Sequence, residues 1–191
     1  TMRSAEALGI DRVVFLGYTD SGMTGWDQND HDHSFFQADL DEAAERLAAV
    51  LREESADVLT IYDWHGNYGH PDHVQVHRVG CRAEAMVAED LPGLRVFEAT
   101  MNRDAMRRQI EMAREAGQSF GPDDADGDDF DPDGPMDDGN PMGTPEAELT
   151  MVVDVGAYVA QKREAIGAHR SQVTDSSFFV QMPDDVFAFA F

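Results

Sequence analysis

Short apolar runs that alternate with amphipathic helices predict an α/β fold, a mostly parallel sheet with helices on both faces. Two observations carry this expectation. Residues 12–17, 57–62 and 94–99 each have the length and composition of a buried strand, and the first two lead into polar, glycine-containing loops. Between and after these runs, from Asp39 and again from Asp72, apolar residues recur at helical spacing. With 191 residues, 42% of them hydrophobic, the chain has material enough for one core.

In chain order, residues 12–17 (RVVFLG) read as a first strand closed by glycine, and a loop rich in Asp, Gly, Asn and His follows. A helix then places Leu40, Ala43, Ala44, Leu47 and Val50 or Leu51 on one face, with Asp39 and Glu42 as its N-terminal cap. Residues 57–62 (DVLTIY) form a second strand, and a helix over 72–88 turns Val76, Val79, Ala83 and Met86 inward. A third strand at 94–99 precedes a helix over 102–116. The acidic stretch at about 118–146 reads as a solvated, mobile insertion within a single domain spanning 1–191. A strand at 149–153, a helix over 156–169 and an apolar end that reads as a strand cut short complete the pattern.

The charge balance excludes several functions. There are 38 acidic and 14 basic side chains, net −24, and nine aspartates between Asp123 and Asp138 account for only part of the excess. Nucleic acid is repelled by such a surface, which suits a high-salt interior where screening limits self-repulsion. No run approaches the roughly 18 apolar residues of a membrane span, and the N-terminus lacks an apolar signal core, so the expected location is cytoplasmic. The single cysteine, Cys81, excludes a disulfide framework and a thiolate cluster, leaving His and carboxylates as the expected metal ligands.

In an open parallel sheet, ligands bind beyond the carboxyl ends of the strands, which directs attention to the loops after Leu16 and Tyr62. The second loop contains His65, His70, His73 and His77, four of the seven histidines, within 13 residues. A helix opening at Pro71 and Asp72 places His73 and His77 on one face, with His70 just outside it. Imidazoles so placed suit zinc. Equally, Asp72 can cap the helix with the histidines as polar loop residues.

The string Tyr68-Gly69-His70-Pro71-Asp72-His73, with His77, resembles the second motif of the LmbE/PIG-L superfamily of zinc-dependent N-deacetylases. Residues 16–23 (LGYTDSGM) similarly resemble that family's loop after its second strand, and Lys162-Arg163 through His169, Ser171 and Gln172 its C-terminal helix. The resemblance implies a Rossmann-like three-layer sandwich and one Zn2+ per full-length chain, with His73 as a ligand. It gives Tyr68 and His70 roles at the amide carbonyl and leaving amine, has Asp72 orient or tune His70, and puts Asp20 in contact with substrate. These residue types fit the chemistry, because zinc activates water and polarises a carbonyl while neighbouring groups donate to the developing charges.

Family members open with a strand ending in a His-Pro-Asp-Asp type motif, which supplies two further ligands and a carboxylate base. No such motif stands here. Met182-Pro183-Asp184-Asp185 lacks the histidine and reads as a turn. The expectation is therefore a fragment without the first strand and its two ligands, with impaired activity, from an active parent. The implied reaction is N-deacetylation of a small N-acetylglucosaminyl-type amino sugar or glycoconjugate. Two alternatives stand beside it: cleavage of a mycothiol S-conjugate amide, and a non-catalytic acidic module binding sugar or cations.

Other residues have plainer readings. Residues 124–134 superficially match a calcium loop, but Asn140 stands where a bidentate Glu is required. His31 and His33 read as surface loop residues, and His169 as helix packing. Trp64 and His65 are placed to shape a sugar pocket, whereas Trp26 suits either a pocket or the core.

Overall fold

The computed structural model describes residues 1–115, 130–170, 173–174 and 177–190. The chain divides into two compact units, one of residues 1–14, 113–128 and 150–191, the other of residues 15–112 and 129–149.

The second unit holds the histidine-rich loop. Its sheet pairs β1 (Val58–Tyr62) with β2 (Arg95–Ala99) in parallel, in register from Val58 opposite Arg95 to Tyr62 opposite Ala99. Parallel neighbours require a crossover. Here it is supplied by α3 (Gly66–Gly69), a single distorted turn, and α4 (Pro71–Val87). Before the sheet comes α2 (Leu40–Glu54), whose first turn is capped by Asp39 accepting from the Glu42 amide at 2.9 Å.

Ala43, Ala44, Ala48 and Leu51 of α2 pack on Val79, Ala83 and Val87 of α4, with Tyr18, Phe35 and Leu59 flanking them. Small side chains at this seam let the two helix backbones approach closely. Gly80 plays the same part between α4 and the sheet, because a Cβ at that position would collide with Ile61. Next in the chain, α5 (Arg103–Glu115) buries Met106 and Ile110.

Residues 12–17 are not a strand. Among the described residues they have no ladder partner, Phe15 is 70% exposed, and the Leu16 carbonyl is taken by the Arg46 guanidinium instead. An apolar run becomes a strand only where a neighbouring strand accepts its backbone. Residues 149–153 fail for the same reason, with Val152 81% exposed.

In the first unit, α1 (Met2–Ala7) lies against α6 (Val159–Gly167), which follows a short 3₁₀ turn at Gly156–Tyr158. The apolar end is helical rather than extended, forming α7 (Phe178–Gln181) and α8 (Asp184–Ala190). Arg163 explains how the chain turns there. Its guanidinium donates to the Val180, Met182 and Pro183 carbonyls and lies 4.1 Å from the ring centroid of the fully buried Phe187. Thus Pro183 and Asp184, read from sequence as part of a turn, lead into α8.

Part of the acidic stretch, residues 116–129, lies outside the described residues. Residues 130–146 are held in place by arginines of α5. Arg107 pairs with Asp133 at 2.7 Å, and Arg103 donates to the Met142 and Gly143 carbonyls at 2.7 and 2.8 Å. Opposite charge on α5 thus meets this part of the acidic segment. Among the described residues no helix is long and apolar enough to cross a membrane.

Replacing Gly80 with valine forces side-chain atoms into Ile61. This overpacking costs about 1–3 kcal/mol, read as a lowered urea midpoint, and an unchanged midpoint contradicts the close approach.

Candidate active site

The site forms where β1 ends and α4 begins. Pro71 occupies the first helical position, so the first backbone amide the helix must satisfy is that of Asp72. His70 satisfies it, its Nδ1 accepting from the Asp72 amide at 3.1 Å. An imidazole nitrogen that accepts a hydrogen bond carries no proton, so neutral His70 presents N–H at Nε2.

His73 is held in the opposite sense. Its Nδ1 lies 3.3 Å from the Gly66 carbonyl, which can only accept, so Nδ1 carries the proton and Nε2 keeps its lone pair. The ring stacks on Tyr62 at 4.0 Å and on His70 at 4.8 Å. Burial pushes the His73 pKa below the ordinary imidazole value, the Gly66 bond opposes this, His70 reinforces it, and Asp72 and Asp20 oppose it more weakly. His73 is therefore a neutral donor at neutral pH. A main-chain carbonyl on the far nitrogen is also the usual support of a metal-binding histidine, so His73 fits that role.

Tyr68 meets both imidazoles edge-on, 5.2 Å from His73 and 6.1 Å from His70. Burial raises its phenol pKa, and Tyr62 and Asp137 raise it further, so it remains an O–H donor at neutral pH.

Asp72 touches His70 through its main-chain amide. Its carboxylate instead accepts from the Ser21 amide at 3.0 Å and from the Ser21 hydroxyl. The fully buried Ser21 hydroxyl also accepts from the Phe36 amide at 2.9 Å. Asp72 thereby ties the loop after Leu16 to the start of α4. Asp20, adjacent to this clamp, is exposed and closes a tight turn by accepting from the Gly22 amide at 2.8 Å.

Several supporting residues escaped sequence reasoning. Asp63, 3% exposed, accepts from the Asn67 amide at 2.8 Å and the Thr100 hydroxyl at 2.6 Å. Asn67, at φ 67°, accepts from the Met101 amide at its side chain and from the Gly143 amide at its carbonyl. Gly69, at φ 86°, passes so close to Asp138 that a Cβ would lie 2.7 Å from its amide nitrogen. His65 is 2% exposed between two carboxylates, its Nδ1 3.5 Å from Asp138 and its Nε2 3.8 Å from Asp63. A lone serine or threonine in a polar loop carries no periodic signal, and the Asp138 contact joins residues 73 positions apart.

The structure thus gathers Tyr68, His70 and His73, with Asp72 at their base. His77 lies one turn further along α4, its Nδ1 3.2 Å from the Tyr62 carbonyl. His31, His33 and His169 are exposed. Trp26 and Trp64 are 55% and 58% exposed, so neither is a core residue, whereas His65 is buried. Ser171 and Gln172 lie outside the described residues.

A strand-to-helix loop carrying these histidines, in an α/β unit with a parallel sheet, resembles that of a PIG-L (LmbE-like) domain. Residues 1–84 match the model of the family described as PIG-L, GlcNAc-PI de-N-acetylase. Relatives named 1D-myo-inositol 2-acetamido-2-deoxy-alpha-D-glucopyranoside deacetylase include those of Thermobifida fusca and Thermomonospora curvata. The first is 40% identical over 90% of this chain and 59% of its own length, and the second 36% over 91% and 59%. A third, from a Nocardioides species, is 36% identical over 94% of this chain and 63% of its own. The chain thus spans about three fifths of the length of these relatives.

Substituting Ser21 with alanine removes the hydroxyl that binds both Asp72 and the Phe36 amide, leaving the half-buried Asp72 carboxylate with the Ser21 amide alone. The cost is about 1–3 kcal/mol in chemical denaturation, and wild-type stability in the variant contradicts the clamp.

Proposed function

We propose that this chain forms part of a zinc-dependent N-deacetylase acting on an N-acetylglucosaminyl sugar linked to a polyol. The observation that carries the reading is the opposite protonation imposed on two adjacent imidazoles: His70 presents a proton and His73 a lone pair. Amide hydrolysis needs both. The relatives' names supply the substrate class, a 2-acetamido sugar on 1D-myo-inositol.

His73 is the residue suited to hold the metal through Nε2. When bound, zinc supplies an acidified water and a polarised acetyl carbonyl. His70, its Nδ1 taken by the Asp72 amide, donates a hydrogen bond from Nε2 to the oxygen that becomes negative in the tetrahedral intermediate. Tyr68 is the second donor, kept protonated by its burial. Asp72 acts through position, fixing His70 by its amide and the neighbouring loop by its carboxylate. That loop carries Asp20, an exposed acceptor suited to a sugar hydroxyl.

The assay is release of free amine from the inositol-linked acetamido sugar by the zinc-loaded protein. Removing either donor, by His70→Ala or Tyr68→Phe, lowers kcat by about 10²–10³-fold with a smaller effect on KM. His73→Ala removes zinc-dependent turnover. Wild-type kcat in the His70 variant would falsify its assignment as a transition-state donor.

A further inference from the structure

Beyond the catalytic loop, α4 and β2 bring together His77, Cys81 and Glu98. Among the described residues these are the one set of three metal-competent side chains with ligand atoms all within 4.8 Å of one another. His77 and Cys81 stand four residues apart on one face of α4, and Glu98 reaches them from β2.

The spacing is that of a metal site. Tetrahedral zinc, with bonds of about 2.0–2.1 Å to nitrogen and about 2.3 Å to sulfur, holds those two atoms about 3.6 Å apart. His77 Nε2 and Cys81 Sγ are 3.7 Å apart. The histidine is also in the required tautomer. Its Nδ1 lies 3.2 Å from the Tyr62 carbonyl, which accepts its N–H and so leaves the lone pair on Nε2, beside the sulfur. Glu98 is half-exposed, with an oxygen 3.7 Å from His77 Nδ1, on the side of the ring facing the Tyr62 carbonyl, and a third bond requires its side chain to turn toward Nε2 and Cys81. A thiolate and a carboxylate together balance a divalent charge, and a protein of net charge −24 concentrates cations at its surface.

We propose that His77, Cys81 and Glu98 form a binding site for a zinc-like divalent ion, with the fourth position left to water. The donor set of one thiolate, one imidazole and one carboxylate favours zinc over magnesium or calcium. This differs from the expectation that metal here would rest on His and carboxylates alone, because a single cysteine suffices when the fold supplies its partners. The site shares no residue with the catalytic group, so it stands or falls separately from the deacetylase reading.

Cobalt(II) provides the test. Cys81 is the only cysteine, so a sulfur-to-cobalt charge-transfer band in the near ultraviolet reports this site alone. Titration of the metal-free, reduced protein is expected to develop that band, saturating at one equivalent and reversed by zinc. The band survives in His73→Ala, vanishes in Cys81→Ser, and needs at least tenfold more cobalt in His77→Ala and in Glu98→Gln. Absence of the band in the folded wild-type protein overturns the proposal. So does a band that is lost with His73, or that is indifferent to both His77 and Glu98.

Discussion

Two main-chain groups decide what the histidines at the start of α4 can do. The Asp72 amide donates a hydrogen bond to His70 Nδ1, and the Gly66 carbonyl accepts one from His73 Nδ1. Each contact is worth little as stability, since a typical hydrogen bond contributes on the order of 1 kcal/mol net. Their chemical effect is larger, because they give two stacked rings opposite protonation patterns. The surrounding structure keeps both groups in place. Pro71 contributes no amide of its own, Tyr62 supports the His73 ring from the end of β1, and Gly66 occupies a left-handed position where a Cβ would meet that of His73 at 2.5 Å.

Acidic residues perform several structural tasks in the same unit. Asp72 clamps one loop through Ser21, Asp63 anchors another through Asn67 and Thr100, and Asp133 pairs with Arg107. With basic residues scarce, arginine recurs where an acidic segment or an orphan carbonyl needs a partner, as Arg103 and Arg163 show. The strong negative charge read from composition therefore includes particular carboxylates with defined donors, Asp63 buried among them, as well as a solvated surface.

Local periodicity was enough to locate α2 and α4, each of which buries one face, and short apolar runs located β1 and β2. Residues 12–17 have the composition of a strand, but strand formation depends on a partner that composition does not reveal, and among the described residues the segment joins no β-ladder. The C-terminal residues are apolar enough for a strand, yet Arg163 and Pro183 lead them into helix. At the site, the gathering of His70, Asp72 and His73 at a helix start was legible from their spacing, whereas Tyr68 and the separate roles were implied by the family resemblance alone. Ser21, Asp63 and Asp138 were not, since their meaning arises only when distant loops meet. The neighbours of Cys81 were not legible for the same reason: alone in sequence, it gains His77 from the turn before it and Glu98 from the next strand.

The central claim is that His70 and His73 carry their protons on different nitrogens. Long-range nitrogen–proton NMR of the metal-free protein, with the rings assigned by single substitutions, reads this directly. The account predicts protonation of His70 at Nε2 and of His73 at Nδ1 at neutral pH. The same tautomer in both rings would contradict it and remove the basis for giving them different roles.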